Sequence, residues 1–163
     1  MTHGRNVSGW RLAAAVFLIA VLFNFAWELA QSPLYFAMPP FPTRLWHCFV
    51  ASLGDGVLLL FMWAAGWVVF GEKVWFRPPC AVRYMVMVVG GGVLGVLVEA
   101  AALEAGRWSY QPQMPRVGNL GVTPLLQMLL LPPLTFALVA RGQWAWGRWP
   151  VARCSPHSTD KGF

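Results

Sequence analysis

Trp10 to Ala30 reads WRLAAAVFLIAVLFNFAWELA, an apolar run broken only by Arg11 at its start and by Asn24 and Glu28 towards its end. A hydrocarbon core about 30 Å thick needs roughly 20 such residues in a helix rising about 1.5 Å per residue. The run therefore predicts a transmembrane helix. Arg5 and Arg11 give it the basic start of a signal peptide, yet no small-x-small cleavage site follows and the run continues through Trp27 and Glu28. It reads as a retained span.

Three further stretches meet the same length requirement, at about 45–70, 83–105 and 122–140. Between them no loop is long enough for a second domain, and no internal repeat is apparent. The expected fold is all-α: a polytopic transmembrane four-helix bundle forming one domain over residues 1–150. Residues 151–163 form a polar tail expected to be disordered. Composition agrees, because only 11% of residues are charged where about 25% is usual for a soluble domain. So few charges leave most of the surface to lipid, and ten tryptophans supply rings that favour the membrane interface.

The net charge of +6 does not imply a nucleic-acid partner, since the basic residues stand singly beside apolar stretches instead of forming one patch. Their distribution predicts orientation. Arg5, Arg11, Lys73, Arg77, Arg83, Arg141, Arg148, Arg153 and Lys161 fall on one side, and Arg44, Arg107 and Arg116 on the other. Both termini are thus expected in the cytoplasm, with the chain in a bacterial inner membrane and its first and third loops facing the periplasm. Cys48, Cys80 and Cys154 lack metal-knuckle spacing and give no disulfide framework.

Acids inside a bilayer cost about 2.5–3.5 kcal/mol each on insertion scales. Of six acids, Glu28, Asp55, Glu99 and Glu104 fall within or at the ends of spans. Asn24, Glu28 and Gln31 share one helical stripe, and Thr123 and Gln127 lie one turn apart on the fourth span. Asp55 lies about 15 Å into the second span and Glu99 about 9 Å below the outer end of the third. All four spans carry their polar residues in the outer half, which predicts a shared cavity there. Glu99 and Glu104 stand about 140° apart on a helical wheel, so only one faces the bundle interior. Glu104 is taken with the outer-loop motif and Glu99 as the deeper interior group.

Each feature also has a plainer reading. Glu28 with Asn24 is equally a hydrogen-bonded pair joining helices. The glycines around Asp55, and the GGGVLG run from Gly90 to Gly95, read as close helix packing. Arg107 with Glu104 reads as a surface ion pair. His47 reads as an interfacial anchor or as an acid-base or ligand group. A metal bound by His47, Asp55 and a glutamate lacks supporting His-x-x-x-His or His-x-x-Glu spacing, so no metal is expected. The outer loops, QSPLYFAMPPFPTRLWH from Gln31 and GRWSYQPQMPRVGNLGVTP from Gly106, read as a rigid interface belt or as a lid. Walker, Gly-x-Ser-x-Gly and haem motifs are absent, so neither a cofactor nor nucleotide hydrolysis is expected.

FNFAWELAQSPLY from Phe23, HCFVASLGDG from His47, EAGRWSYQPQMP from Glu104 and GVTPLLQMLLLP from Gly121 together resemble a family of uncharacterised small bacterial four-helix membrane proteins. The resemblance covers Phe23 to Pro132 and implies a fold without an activity. NFAWE, Asn24 to Glu28, also looks like a stretch of integral-membrane terpene cyclases, in which an intramembrane glutamate supplies a proton to an isoprenoid epoxide. That likeness implies Glu28 as acid with Asp55 or Glu104 as partner. The chain is shorter than those cyclases and lacks several of their spans.

Two function classes follow. The first is an enzyme that protonates an isoprenoid or other lipid-soluble substrate, since carboxylic acids in apolar surroundings hold protons near neutral pH and aromatic walls shield cations. Its catalytic set is Glu28, Asp55 and Glu104, with Asn24, Trp27, Gln31, Tyr35, His47, Glu99, Trp108, Tyr110 and Gln127 around the substrate. The second is a non-enzymatic role, binding membrane lipid or a membrane partner protein.

Overall fold

The computed structural model describes residues 8–77 and 80–144. Four long helices follow in order: α1 Gly9–Gln31, α2 Thr43–Phe70, α3 Ala81–Glu104 and α4 Val122–Trp144. Each is long and apolar enough to cross a membrane. Their bounds match the expected spans to within a few residues. The chain is therefore a multi-pass membrane protein built as an all-α four-helix bundle. The C-terminal tail lies outside the described residues.

Side-chain size decides how the helices approach. On α2, a Cβ at Gly56 would lie 2.7 Å from Val21 and 2.9 Å from Phe17, so this glycine lets α1 settle closely against α2. A Cβ at Gly91 would lie 2.0 Å from the Met128 carbonyl, and one at Gly95 would lie 2.9 Å from the Met128 side chain. Small residues at such positions let membrane helices pack without a hydrophobic driving force. The packing expected of the Gly90–Gly95 run is thus made by Gly91 and Gly95, against α4.

The resulting arrangement is uneven. α1 packs along α2 and α4, α3 packs along α4, and α2 and α3 touch only sparsely. The Met62 methyl lies 3.7 Å from a Cβ built on Gly90, so α2 and α3 come together at that level. With outer and inner naming only the ends of the bundle, outer being the end that carries the α1–α2 and α3–α4 loops, the outer halves of α2 and α3 line opposite sides of a cavity.

At the opposite, inner end the bundle is closed by its own loop. Trp75 and Phe76 are buried among Leu12, Val16, Leu59, Met87 and Phe136. The Trp75 indole donates to the Trp63 carbonyl at 3.0 Å, while the Trp63 indole donates to the Lys73 carbonyl at 2.8 Å. Gly66 makes room for this plug, since a Cβ there would lie 2.0 Å from the Trp75 ring. Both indole nitrogens are thereby satisfied although their rings are buried, as burial of tryptophan requires.

The outer loops are joined to each other. Phe36 N–H donates to the Ser109 carbonyl and Gln111 N–H to the Leu34 carbonyl, both at 2.9 Å. These bonds bracket an antiparallel bridge between Tyr35 and Tyr110. Tyr35, Tyr110 and Met114 form a small buried cluster beneath it. A two-residue ribbon, β1 Arg116–Val117 with β2 Leu120–Gly121, leads into α4. Loops one and three therefore form a cap over the outer end, in keeping with the lid reading.

Candidate functional site: a carboxyl-amide cluster below the cap

The stripe on α1 faces inward as its spacing predicts. Asn24 and Gln31 are buried and Glu28 is half-buried. Asn24 anchors its own orientation by donating to the Ala20 carbonyl at 2.8 Å. From α4, the buried Gln127 side chain enters the stripe. Its amide nitrogen lies 2.8 Å from Asn24 Oδ1, 3.1 Å from Glu28 Oε1 and 2.9 Å from Asp55 Oδ2. Gln31 donates to the Gln127 carbonyl oxygen and to Glu28 Oε1, both at 2.9 Å. The Trp27 indole donates in turn to Gln31 Oε1 at 3.2 Å. Residues from α1, α2 and α4 are thus tied through one amide.

Stoichiometry matters here. An amide nitrogen carries two hydrogens, yet three acceptors surround that of Gln127. Glu28 and Asp55 also each have a second carboxyl oxygen that takes no hydrogen bond from a described residue. While neither carboxyl carries a proton, acceptors therefore outnumber donors at this point. The two carboxyl oxygens that share the Gln127 nitrogen are no more than about 6 Å apart, because each lies about 3 Å from it.

This cluster forms the floor of a cavity of about 1120 Å³ that reaches up to the cap. Glu28, Gln31, Asp55, Glu99 and Gln127 contribute its polar groups, and Tyr35, His47 and Trp108 stand nearer the cap. The walls are apolar and small, from Ala51, Gly54 and Leu58 on α2 and Val98, Ala101 and Ala102 on α3. Volumes of this order exceed the roughly 300–1,000 Å³ of ordinary small-molecule pockets. Burial pushes the Tyr35 phenol above its ordinary range, and the neighbouring carboxyl groups act in the same direction. Tyr35 therefore faces the cavity as a neutral hydroxyl.

The expected site residues divide into three groups. Glu28, Asp55, Gln31, Tyr35, His47, Glu99, Trp108 and Gln127 line the cavity. Asn24 and Trp27 stand behind it and hold Gln127 and Gln31 by hydrogen bonds. Glu104 and Tyr110 do not reach it. Glu104 is exposed, because the helical offset that turns Glu99 inward turns Glu104 away. The placement of Glu104 with Glu28 and Asp55 is thereby corrected, and Glu99, 2% exposed and accepting from Gly121 N–H at 3.3 Å, is the interior glutamate of α3. Tyr110 is spent in the cap, its hydroxyl buried without a partner and its ring against Gly121. Arg107 forms no ion pair with Glu104 and instead lines the cavity.

Gly54 departs from the packing role expected of the glycines around Asp55. A Cβ built there meets nothing within 4 Å, so the glycine faces open space. Among the described residues no group of three or more His, Cys, Asp and Glu side chains is gathered as a metal site would need, and His47 does not join Asp55 in one. Sequence reasoning named Gln127 as a wall residue. Its role as the hub was missed, although a lone glutamine deep in an apolar helix is itself a signal of a buried partner.

Fold and site together define a four-helix membrane protein with an acidic, amide-bridged cavity in one half of the bundle. No family model, curated protein or solved structure matches the chain.

Proposed function

We propose that the protein is a bacterial inner-membrane enzyme that binds a lipid-soluble substrate in this cavity and protonates it, with Glu28 and Asp55 as the acid pair. The observation that carries the reading is the meeting of both carboxyl groups at the Gln127 amide on the floor of an apolar-walled cavity. Intramembrane acids facing a cavity mark functional sites by default, because lipid-facing alternatives are so costly. Gln127 and Gln31 fix the Glu28 carboxyl, Asp55 stands ready to exchange a proton with it, and Tyr35 and Trp108 give an aromatic border that favours a positively charged transition state. An isoprenoid undergoing cyclisation or isomerisation fits this chemistry and the local NFAWE resemblance.

Glu28→Gln keeps the shape and removes the acid. The variant should insert and melt as the parent does, while the change in cellular lipid profile seen on deleting the gene should persist. A stable variant that restores the parental profile would remove Glu28 as proton donor. In our reading both termini are cytoplasmic, which places the cavity in the periplasmic half. Alkaline phosphatase fused after Pro115 should then be active, and after Pro79 inactive; the reverse pattern overturns the orientation.

A second reading has its own support. Glu28 Oε1 already accepts from both Gln31 and Gln127, as an oxygen acting as interhelical glue would. In that case the cavity serves a non-enzymatic lipid-binding protein or a partner subunit of a membrane complex, and Glu28→Gln leaves its behaviour unchanged.

A further inference from the structure

We infer that the cavity is entered sideways from the bilayer, through the gap between the outer halves of α2 and α3, by a single-chain lipid whose head group donates a hydrogen bond. The inference rests on the functional reading for its ligand-binding cavity and adds the route and the head-group chemistry. Three independent features support it.

The first is the missing wall. α1 and α4 pack together behind the carboxyl-amide cluster, whereas α2 and α3 touch only sparsely and line opposite sides of the cavity. The second is the cap. The backbone bonds between Phe36 and Ser109 and between Gln111 and Leu34 tie the two outer loops across the end of the bundle. These bonds cover Tyr35 and Tyr110 at that end, whereas the gap between α2 and α3 lies to the side of them. The third is residue size along the gap. Ala51 and Gly54 on α2, Ala101 on α3 and Ala105 just after it line the cavity, and Gly54 has nothing within 4 Å of a built Cβ. Glycine here serves no helix contact, so it leaves a passage free.

The head group follows from the hydrogen-bond inventory. Two hydrogens on Gln127 serve three acceptors, and one oxygen each of Glu28 and Asp55 takes no bond from a described residue. A proton on one carboxyl supplies one donor, and the other carboxyl then still lacks one; a ligand that can only accept leaves that oxygen unsatisfied in a low-dielectric site, which is costly. A hydroxyl donates to one carboxyl oxygen and can accept from the other group when that is protonated. The apolar chain of an alcohol would then run out between Leu58 and Val98 towards the acyl region.

The test uses the full chain in lipid nanodiscs with a diazirine-bearing hexadecanol as photoreactive probe and peptide mapping by mass spectrometry. Labelling should fall on the cavity faces of α2 and α3, and unlabelled hexadecanol should suppress it at least tenfold more effectively than hexadecane. Equal competition by hexadecane would overturn the donor head group. Gly54→Trp should fill the passage and cut labelling tenfold or more with an unchanged melting temperature. Gly54→Leu serves the same purpose should the tryptophan variant melt early. Undiminished labelling in a stable filled variant overturns the route.

A cysteine-free chain carrying Phe36→Cys and Ser109→Cys can be oxidised to lock the cap, since directly paired strand residues have the separation a disulfide spans. Labelling should survive the lock. Loss on oxidation and recovery on reduction would show entry through the cap and overturn the portal. Failure of the acid reading appears separately: Glu28→Gln then restores the parental lipid profile, while labelling of the portal and its block by Gly54→Trp persist.

Discussion

The two halves of the bundle solve the problem of a lipid environment in opposite ways. The inner half is filled by rings: Trp63, Trp75, Phe76 and Phe136, with every indole N–H of the plug bonded to a carbonyl. Trp75 and Phe136 rings stand 5.4 Å apart, and the loop that carries Trp75 closes the end. The outer half leaves a cavity of about 1120 Å³ and furnishes it with acids and amides. A protein that needed only to be stable could have filled both ends alike. On the proposed reading, stability resides mainly in the inner half and function in the outer.

The comparison can be broken most directly at its two centres. Trp75→Ala should destabilise the detergent-solubilised protein by about 3–5 kcal/mol, the range for removing a large buried ring, and lower its melting temperature accordingly. A melting temperature close to the parent's would mean that the plug is not the stabilising half. Glu28→Gln should do the converse, lowering turnover by about 100- to 10,000-fold, as loss of a general acid does, at nearly constant melting temperature.

Smaller effects sharpen the boundary. Gln127→Leu removes an amide that bonds to α1 and α2, and interhelical bonds of this kind are worth about 0.6–1.7 kcal/mol in membranes. Both melting temperature and ligand binding should therefore fall, marking Gln127 as the residue where the two roles overlap. A change in only one of the two readouts would place it wholly in one half. Glu104→Gln should be the mildest, within about 0.5 kcal/mol of the parent and with unaltered activity, since the side chain is exposed away from the cavity. A clear loss of activity there would return Glu104 to the site.

How much of this was legible in the sequence depends on the length scale of the signal. The spans were, because helix length against bilayer thickness is a one-dimensional constraint. The Asn24–Glu28–Gln31 stripe was, because it repeats at the helical period within a single element. Periodicity also required that Glu99 and Glu104 diverge, but a single wheel has no reference direction until neighbours are known, and Glu104 was placed in the site on its proximity to the loop motif. Gln127 as hub depends on three helices meeting, which no local pattern encodes. Trp75 gave only a faint sign: adjacent Trp and Phe between Lys73 and Arg77, in a loop whose flanking charges suggested the interface and not a buried plug. The separation of α2 from α3, though they are consecutive, followed from glycine contacts made elsewhere, at Gly56 and Gly91.

The placement of Gln127 on the last helix has a consequence for biogenesis. During insertion α1 and α2 emerge before α4, so Glu28 and Asp55 enter the membrane before the amide that unites them exists. Asp55, well inside its span, then carries an insertion cost of about 2.5–3.5 kcal/mol without Gln127, and Glu28, near the end of α1, a smaller one with only Gln31 as its partner. Completion of α4 removes that frustration at both sites in one event. A chain stalled or truncated after α3 keeps two poorly solvated acids, and so differs from the finished protein in a way a membrane quality-control protease can recognise.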